Sequence, residues 1–186
     1  RYANSTFKWI KTEYSIRFAY EATDKLIRFT DYKDIKFRSR TVFSFHRPET
    51  LELLLASQDT IRNNMKHFPP LDETGFRKCQ INAIQNLDNS FANNRPKALV
   101  QMATGAGKTF TAITAAYRLL KYGKMNRILF LVDTKSLGEQ AEREFLAYTP
   151  NDDPRSFSQL YGVRRLKSSY IPSDVQICIS TIQRMY

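Results

Sequence analysis

The sequence predicts an α/β protein in which a parallel sheet carries helices on both faces. From residue 75 onward, short apolar runs alternate with stretches whose apolar residues recur at helical spacing. Between one such run and the next helical stretch lies a turn of small residues that ends in Gly-Lys-Thr. Ahead of these elements, residues 1–70 contain short β-prone runs and predict a small connector with a β-hairpin.

The connector is predicted over residues 1–70. Two β-prone runs, 16–20 and 25–29, flank a polar turn and predict the hairpin. Residues 41–45 predict a further edge strand, and a helix is expected to begin at Pro48, because proline fits the first turn of a helix. Two consecutive prolines end this pattern and place the predicted boundary at residue 70.

Residues 71–186 are predicted to form the α/β part. Its strands should be buried, because apolar runs without alternation are typical of parallel sheets covered on both faces. In chain order the prediction gives a helix at 76–94, a strand at 97–102, a helix at 108–122, a strand at 127–132, a helix at 136–148, a short strand at 157–160 and a strand at 175–180.

The charge balance favours polyanionic partners, nucleic acid first. The formal net charge is +11, from 29 Lys and Arg against 18 Asp and Glu. The alternative is a basic surface that another domain covers. No apolar run is long enough to span a bilayer and the N-terminus lacks a signal-peptide pattern, so we expect a cytoplasmic protein. Since the chain begins at Arg1 and ends just after a strand, we also expect a fragment of a longer polypeptide.

The cysteines and histidines predict no metal or catalytic site. Cys79 and Cys178 are far apart and match no metal-binding spacing, so both are expected to be small buried residues in a reducing compartment. His46 and His67 are isolated in the sequence, and neither is predicted to act in catalysis.

The strongest signal is the glycine loop, defined here as residues 102–109. Gly105 and Gly107 let the backbone curl so that its N–H groups and the following helix N-terminus cradle a phosphate group. Lys108 is predicted to reach the β- and γ-phosphates, and the Thr109 hydroxyl to help hold Mg²⁺. ATP and Mg²⁺ are the predicted cofactors, with loop contacts from Thr104, Gly105, Ala106, Gly107, Lys108 and Thr109.

The sequence offers one candidate carboxylate for Mg²⁺. Asp133 follows an apolar strand and fits a metal-linked carboxylate, which would allow the chain to hydrolyse ATP unaided. However, Thr134 follows it, where an ATPase usually has Glu. We therefore favour another role for Asp133 and expect the acidic motif to lie outside this sequence.

Four segments resemble the motifs of superfamily 2 helicases and translocases. The glycine loop resembles motif I, 131–140 looks like motif Ia, and 179–186 looks like the next motif, which ends in Thr-x-Gln. Upstream, 77–80 resembles the Arg-x-x-Gln element that precedes motif I. The motif sequences MATGAGKT, LVD and STIQ are most similar to those of the motor subunit of type I restriction enzymes. Residues 18–29 resemble the segment that joins nuclease to motor in that family.

This resemblance implies roles for individual residues at the nucleotide. Gln80 would read the adenine edge with its carboxamide, and Arg77 would support that grip or touch phosphate. The alternative is that both lie on a solvated helix face. Asp133 becomes a structural residue of motif Ia.

The resemblance also implies DNA contacts at the carboxyl ends of the strands. Four residues would contact the DNA backbone there, and the alternative for all of them is ordinary capping and turn chemistry. Residues 164–167 would add phosphate contacts, or else form a solvated loop. The four residues are Thr134, Lys135, Thr181 and Gln183. The family usually has Arg at the position of Thr134, so this chain departs from the family pattern there.

The resemblance implies a RecA-like lobe of an ATP-dependent DNA translocase, preceded by the connector that follows a nuclease domain. Its implied partners are double-stranded DNA and the methyltransferase and specificity subunits of a restriction complex. Asp34-Ile35-Lys36 matches a nuclease triplet, but no convincing upstream carboxylate accompanies it, so no nuclease site is assigned. Three alternatives remain: a type III restriction or repair motor, a nucleotide-gated binding module without hydrolysis, and a P-loop kinase that uses Asp133.

Overall fold

The computed structural model describes residues 16–95, 97–168 and 170–185, which form two compact units. The first unit ends at Asn63 and the second begins at Asn64. The division into a connector, 1–70, and a lobe, 71–186, stays a prediction about domains.

The first unit contains a three-stranded antiparallel sheet. Its strands pair in the order β1-β2-β3, with Tyr20 opposite Phe29 and Phe29 opposite Arg40. Phe29 is fully buried and packs against the Phe18 and Tyr20 rings at centroid distances of 5.6 and 5.0 Å. The predicted hairpin and edge strand are confirmed. The strands are β1 Phe18–Ala22, β2 Ile27–Asp31 and β3 Arg40–Val42.

Two short helices follow in the same stretch of chain. Helix α1, Pro48–Ala56, begins at the predicted proline, and α2, Ile61–Asn64, runs into a 3₁₀ turn at Met65–His67. The Arg17 guanidinium forms a bidentate ion pair with the buried Asp31 carboxylate, donating from Nε at 2.9 Å and from Nη2 at 2.8 Å. It also donates to the Leu54 carbonyl, so one side chain joins the sheet to α1.

The second unit is an α/β fold with a parallel sheet in the order β4-β6-β5, flanked by helices. The predicted fold class is confirmed. The predicted helices at 76–94, 108–122 and 136–148 and the strands at 127–132 and 175–180 all form, with ends shifted by one or two residues. The elements are α3 Lys78–Ala92, α4 Lys108–Lys121, β4 Ile128–Val132, α5 Lys135–Ala147, α6 Phe157–Leu160, β5 Val163–Arg165, β6 Ile177–Thr181 and a 3₁₀ turn Ile182–Arg184.

The core of this unit lies between the sheet and the two helices α4 and α5. Phe145 packs edge-on against Phe130 and Phe157, each at a centroid distance of 5.3 Å. Ile113 of α4 and Ile179 of β6 belong to the same buried cluster, which holds the helix after the glycine loop against the sheet.

The predicted buried strand at 97–102 is wrong. This segment is not a strand, and Leu99 is 93% exposed. A cavity of about 740 Å³ lies between it and α3. The apolar run satisfies the composition of a strand, but a strand also needs a ladder partner. Among the described residues none pairs with this backbone, since β4, β5 and β6 bond to one another.

The same cavity explains a second correction. Cys178 is buried as predicted, whereas Cys79 is exposed. Cys79 stands in the first turn of α3 on the face that borders the cavity, which leaves its side chain exposed.

The short strand predicted at 157–160 is also wrong, because these residues form helix α6. Ser156 precedes the helix, and the Gln159 Oε1 accepts a hydrogen bond from its backbone N–H at 2.9 Å. Phe157 is fully buried, so its apolar character serves the core rather than a ladder. Strand β5 was not predicted, since its Val-Arg-Arg sequence carries no apolar run.

Candidate nucleotide and nucleic-acid sites

The glycine loop forms a tight turn directly before α4. Gly105 has φ +77° and Gly107, the residue before the helix, has φ +84°. Both values lie in the left-handed region that glycine adopts without strain. The Ala106 N–H donates to the Ala103 carbonyl at 3.2 Å, which closes the turn. The backbone therefore curls at the N-terminus of a fourteen-residue helix, where free N–H groups and the helix dipole attract anions.

Lys108 and Thr109 open this helix at the mouth of the loop. The exposed Lys108 ammonium donates to the Ala103 carbonyl at 3.2 Å, so its side chain spans the turn. Thr109 is partly buried beside it. The cradle thus carries one exposed cation and one hydroxyl, which are the groups that a phosphate-bound Mg²⁺ complex requires from such a loop.

Two side chains from the start of α3 reach the loop. The Arg77 Nη1 donates to the Gly105 carbonyl at 2.8 Å, and the Gln80 Nε2 donates to the Ala106 carbonyl at 3.1 Å. The Gln80 Oε1 accepts from the Arg77 backbone N–H at 2.9 Å. Gln80 is only 6% exposed, whereas Arg77 is exposed. The structure therefore brings both predicted residues to the loop, through its backbone carbonyls.

The far end of α4 is fixed by a polar cluster that the sequence did not indicate. The Asp152 carboxylate accepts from the Tyr117 hydroxyl at 2.7 Å, from the Lys121 Nζ at 2.8 Å and from the Tyr122 hydroxyl. Burial opposes the charge of Asp152, but these hydrogen bonds outweigh burial and lower its pKa. The cluster holds the C-terminal end of the helix that begins at the loop.

A buried ion pair adds to this anchoring. The Arg118 guanidinium bonds to the Asp88 carboxylate of α3 at 2.9 Å and to the Pro69 carbonyl at 2.6 Å. Burial raises the pKa of Asp88, although the Arg118 charge acts in the opposite direction. Through this pair α3 and α4 are tied together behind the loop.

A second candidate site lies where the parallel strands end. A pocket of about 180 Å³, here named the cationic pocket, opens at the carboxyl ends of β4, β5 and β6. It includes two of the residues predicted to contact DNA, Lys135 and Thr181, and no acidic side chain lines it among the described residues. Its polar lining is Lys135, Arg165, Lys167, Ser180, Thr181 and Arg184.

Arg165 and Arg184 shape this pocket and were not predicted individually. Arg165 bonds to Glu139 at 2.9 Å and lies 3.3 Å from Glu142, both on α5. The Arg184 guanidinium donates to the Leu166 carbonyl. Residues 164 and 165 belong to β5, and residues 165–167 line the pocket. The segment 164–167 is therefore not a free loop, and its side chains are not evenly exposed.

The other residues predicted to contact DNA have different surroundings. The Thr134 hydroxyl accepts from the Leu137 N–H at 3.3 Å and caps α5. Gln183 is exposed in the final 3₁₀ turn, and Asp133 is exposed after β4. Tyr186, the last residue of the resembling motif, lies outside the described residues.

Among the described residues, no helix is long and apolar enough to cross a membrane. In the same part of the chain, no group of three or more His, Cys, Asp or Glu side chains could hold a metal ion. The Thr109 hydroxyl therefore stands without a cluster of protein carboxylates in the described ranges.

Comparison with known proteins decides the family. The family described as "Type III restriction enzyme, res subunit" matches residues 73–186, which include the glycine loop and the cationic pocket. The chain belongs to this family of restriction-enzyme subunits. The resemblance to restriction motor subunits, first drawn from the motifs, is thereby confirmed.

Named relatives of this restriction subunit are much longer proteins. The EcoKI endonuclease subunit of the type I restriction enzyme from Escherichia coli K12 is 33% identical over 170 residues, which are 89% of this chain and 14% of that protein. The UvrABC system protein B from Leptospira biflexa is 31% identical over 110 residues, 59% of this chain and 15% of that protein. The chain therefore spans about a seventh of these relatives.

One solved structure matches most of this chain with a low TM-score. It is a fragment described as an HsdR subunit of a type I restriction enzyme from Vibrio vulnificus YJ016, with 22% identity and a TM-score of 0.42. The match covers 91% of this chain and 30% of that one.

Proposed function

We propose that this chain is the ATP-binding portion of an ATP-dependent DNA motor subunit in a type I restriction system. The observation that carries the proposal is the glycine loop, with two left-handed glycines before a helix that opens with Lys108 and Thr109. Membership in the restriction subunit family supports the same function. In the intact protein, ATP hydrolysis would drive translocation along duplex DNA, and a separate nuclease domain would cut it.

At the nucleotide, Lys108 exchanges its bond with the Ala103 carbonyl for the β- and γ-phosphate oxygens. The loop N–H groups of Thr104, Gly105 and Gly107 bind the remaining phosphate charge, whereas the Ala106 N–H closes the turn on the Ala103 carbonyl. Thr109 offers its hydroxyl to Mg²⁺, which supplies charge neutralisation on the phosphates when it is bound. Arg77 and Gln80 complete the site from α3, through the loop.

At the nucleic acid, the cationic pocket binds the phosphate backbone. Parallel strands of an open sheet direct their carboxyl ends toward ligands, and lysine and arginine contacts to phosphate supply most non-specific affinity. Because only Arg165 of the pocket cations has carboxylate partners in the described part of the chain, Lys135 and Lys167 are available for phosphate. Thr134 follows β4, Thr181 is the last residue of β6 and Gln183 lies in the turn after it, so all three stand at the carboxyl ends of these strands. The methyltransferase and specificity subunits are the proposed protein partners.

The test is ATP turnover by this chain and by the intact subunit, each with and without linear duplex DNA. We expect turnover by the intact subunit alone, stimulated by DNA and abolished by Lys108→Ala. The proposal fails if this chain turns over ATP without DNA and loses that activity in Asp133→Ala, because the chain would then be a self-contained NTPase.

A further inference from the structure

Residues 36–47 of the first unit combine positive charge with exposed aromatic rings, and they are named here the basic aromatic segment. The segment contains three Phe, four Lys or Arg and one His, and it contains no Asp or Glu. It includes β3, which in the described sheet is an edge strand paired with β2 alone. Phe43 is fully exposed, and Phe37 and Phe45 are 56% and 55% exposed. Exposed apolar side chains that cluster among polar groups are typical of an interaction surface.

Two of these rings are held in place by other aromatic rings of the same unit. The Phe45 ring lies 5.0 Å from the Tyr20 ring, which packs in turn against the buried Phe29. The Phe37 ring meets the Tyr32 ring edge-on at 4.9 Å. Each ring is therefore supported by a neighbour while more than half of its side chain stays exposed, so a flat ligand can stack on it at little cost in side-chain ordering.

The cations of the segment exceed the carboxylates around them. Arg38 and Arg47 are exposed, and neither has an ion-pair partner in the described part of the chain. Arg40 shares the buried Asp34 carboxylate with Arg62, at 3.8 Å from each guanidinium, so one negative charge faces two positive charges. Burial, and then the charges of Arg40 and Arg38, lower the pKa of Arg62. The segment thus lies in a positive field that attracts polyanions.

The rings and the cations together select one class of polyanion. Arginine binds phosphate groups, and exposed aromatic rings stack on nucleic acid bases. A duplex buries its base faces in its own stack, whereas a single strand leaves them accessible. Phe43 and Phe45 are two residues apart, so their Cα atoms are at most about 7 Å apart, roughly two base steps of about 3.4 Å. Both rings therefore lie within reach of one short single strand.

We propose that the basic aromatic segment binds single-stranded nucleic acid, with bases stacked on Phe43 and Phe45 and phosphate groups bound by Arg38 and Arg47. This site lies in the first unit and does not depend on the nucleotide site. It also differs in ligand from the cationic pocket, which is proposed to bind the backbone of duplex DNA.

The experiment measures the Kd of this chain for two labelled probes of equal charge by fluorescence anisotropy. One is an oligothymidylate of about 12 nucleotides, and the other is an abasic strand of the same length, which keeps the phosphates but has no bases. We expect the wild type to bind the oligothymidylate more tightly. Phe43→Ala should weaken that binding at least about fivefold, the contribution of one stacked base, and leave the abasic strand unchanged. Because Phe43 is fully exposed, its removal should not disturb the fold.

Two charge variants test the phosphate contacts separately from the stacking. Arg38→Ala should weaken both probes and reduce the slope of log affinity against log salt by about 0.7, the value for one phosphate of a single strand. Phe43→Ala should leave this slope unchanged. Glu21 places a carboxylate against the segment, where it accepts from the Ser39 hydroxyl at 3.3 Å. Glu21→Gln should therefore strengthen the binding of both probes.

The matched control is Leu53→Ala, which removes an exposed apolar side chain of α1 in the same unit but outside the segment. It should change neither dissociation constant. Equal binding of the two probes by the wild type would overturn the proposal, and so would an equal loss for both probes in Phe43→Ala.

Two other occupants of the segment give different results. A dimer in sedimentation velocity that Phe43→Ala dissociates would show that the segment contacts a second copy of the chain. If Phe43→Ala weakens oligothymidylate binding by this chain but not by the intact subunit, another domain covers the segment. Either result would overturn the proposal. Loss of ATP binding by the wild-type chain would contradict the proposed function and leave this inference standing.

Discussion

At the scale of single residues, the two glycines of the loop should tolerate substitution very differently. Both have positive φ, so alanine costs roughly 1–2 kcal/mol at either position. An added Cβ meets nothing within 4 Å at Gly105, but at Gly107 it lies 2.2 Å from the Gln80 Nε2. We expect Gly107→Ala to weaken ATP binding severalfold more than Gly105→Ala, because the Gln80 amide must move and give up its bond to the Ala106 carbonyl, and titration calorimetry measures both variants. Equal losses would contradict the close contact with Gln80.

The same residues show what a motif can and cannot predict. The sequence indicated which residues gather at the loop, because glycine, lysine and threonine at fixed spacing have few other uses. It did not indicate that Gln80 bonds to Ala106, since that pairing spans 26 residues and depends on where α3 sits. The identity of the residues was readable, whereas the pairing of their atoms needed three-dimensional structure.

At the scale of elements, the anchoring of α4 by Asp152 predicts an acid-sensitive fold. Hydrogen bonds lower the pKa of Asp152, so its contribution to stability is present above the ordinary pKa of about 3.9 and is lost as pH falls through the lower folded value. Urea unfolding at several pH values should show the free energy of unfolding dropping below about pH 4. Asp152→Asn should lower this free energy at neutral pH and flatten the acid limb.

The control for this prediction is the exposed Asp174, in the same unit. Asp174→Asn should leave both the neutral stability and the acid limb as in the wild type. If the free energy of unfolding of Asp152→Asn still falls at low pH as in the wild type, other carboxylates cause the acid sensitivity and this prediction is wrong.

The type of an element was predicted correctly where the apolar pattern extends over several turns, and the prediction was wrong where the apolar run is short. Helices α3, α4 and α5 each show several turns of apolar spacing, and all three form. The four residues of α6 and the run at 97–102 carry apolar side chains without a period, so composition could not distinguish a helix from a strand or from an unpaired segment. Pairing partners decide such cases, and they lie far away in the chain.

At the scale of the whole molecule, the sequence predicted the α/β class and a basic protein but not where the basic groups converge. Lys135 and Thr181 were identified through motifs after their strands. Arg165 was included only in the basic run 164–167, for which phosphate contacts and a solvated loop were both left open, and Arg184 was assigned no role. That these two residues meet depends on the sheet order β4-β6-β5. Net charge alone cannot separate a pocket from a diffuse surface.

A salt titration of DNA binding distinguishes the cationic pocket from a diffuse basic surface, because each phosphate contact releases counterions. The logarithm of the duplex DNA affinity should fall linearly with the logarithm of salt concentration, and Lys135→Ala should reduce the magnitude of this slope by about 1. Lys25→Ala changes the net charge of +11 by the same amount, but from the hairpin turn outside the cationic pocket, and should leave the slope unchanged. Fluorescence anisotropy between about 50 and 200 mM salt measures both. Equal reductions in the two variants would assign DNA affinity to the diffuse basic surface, and the cationic pocket would lose its proposed role.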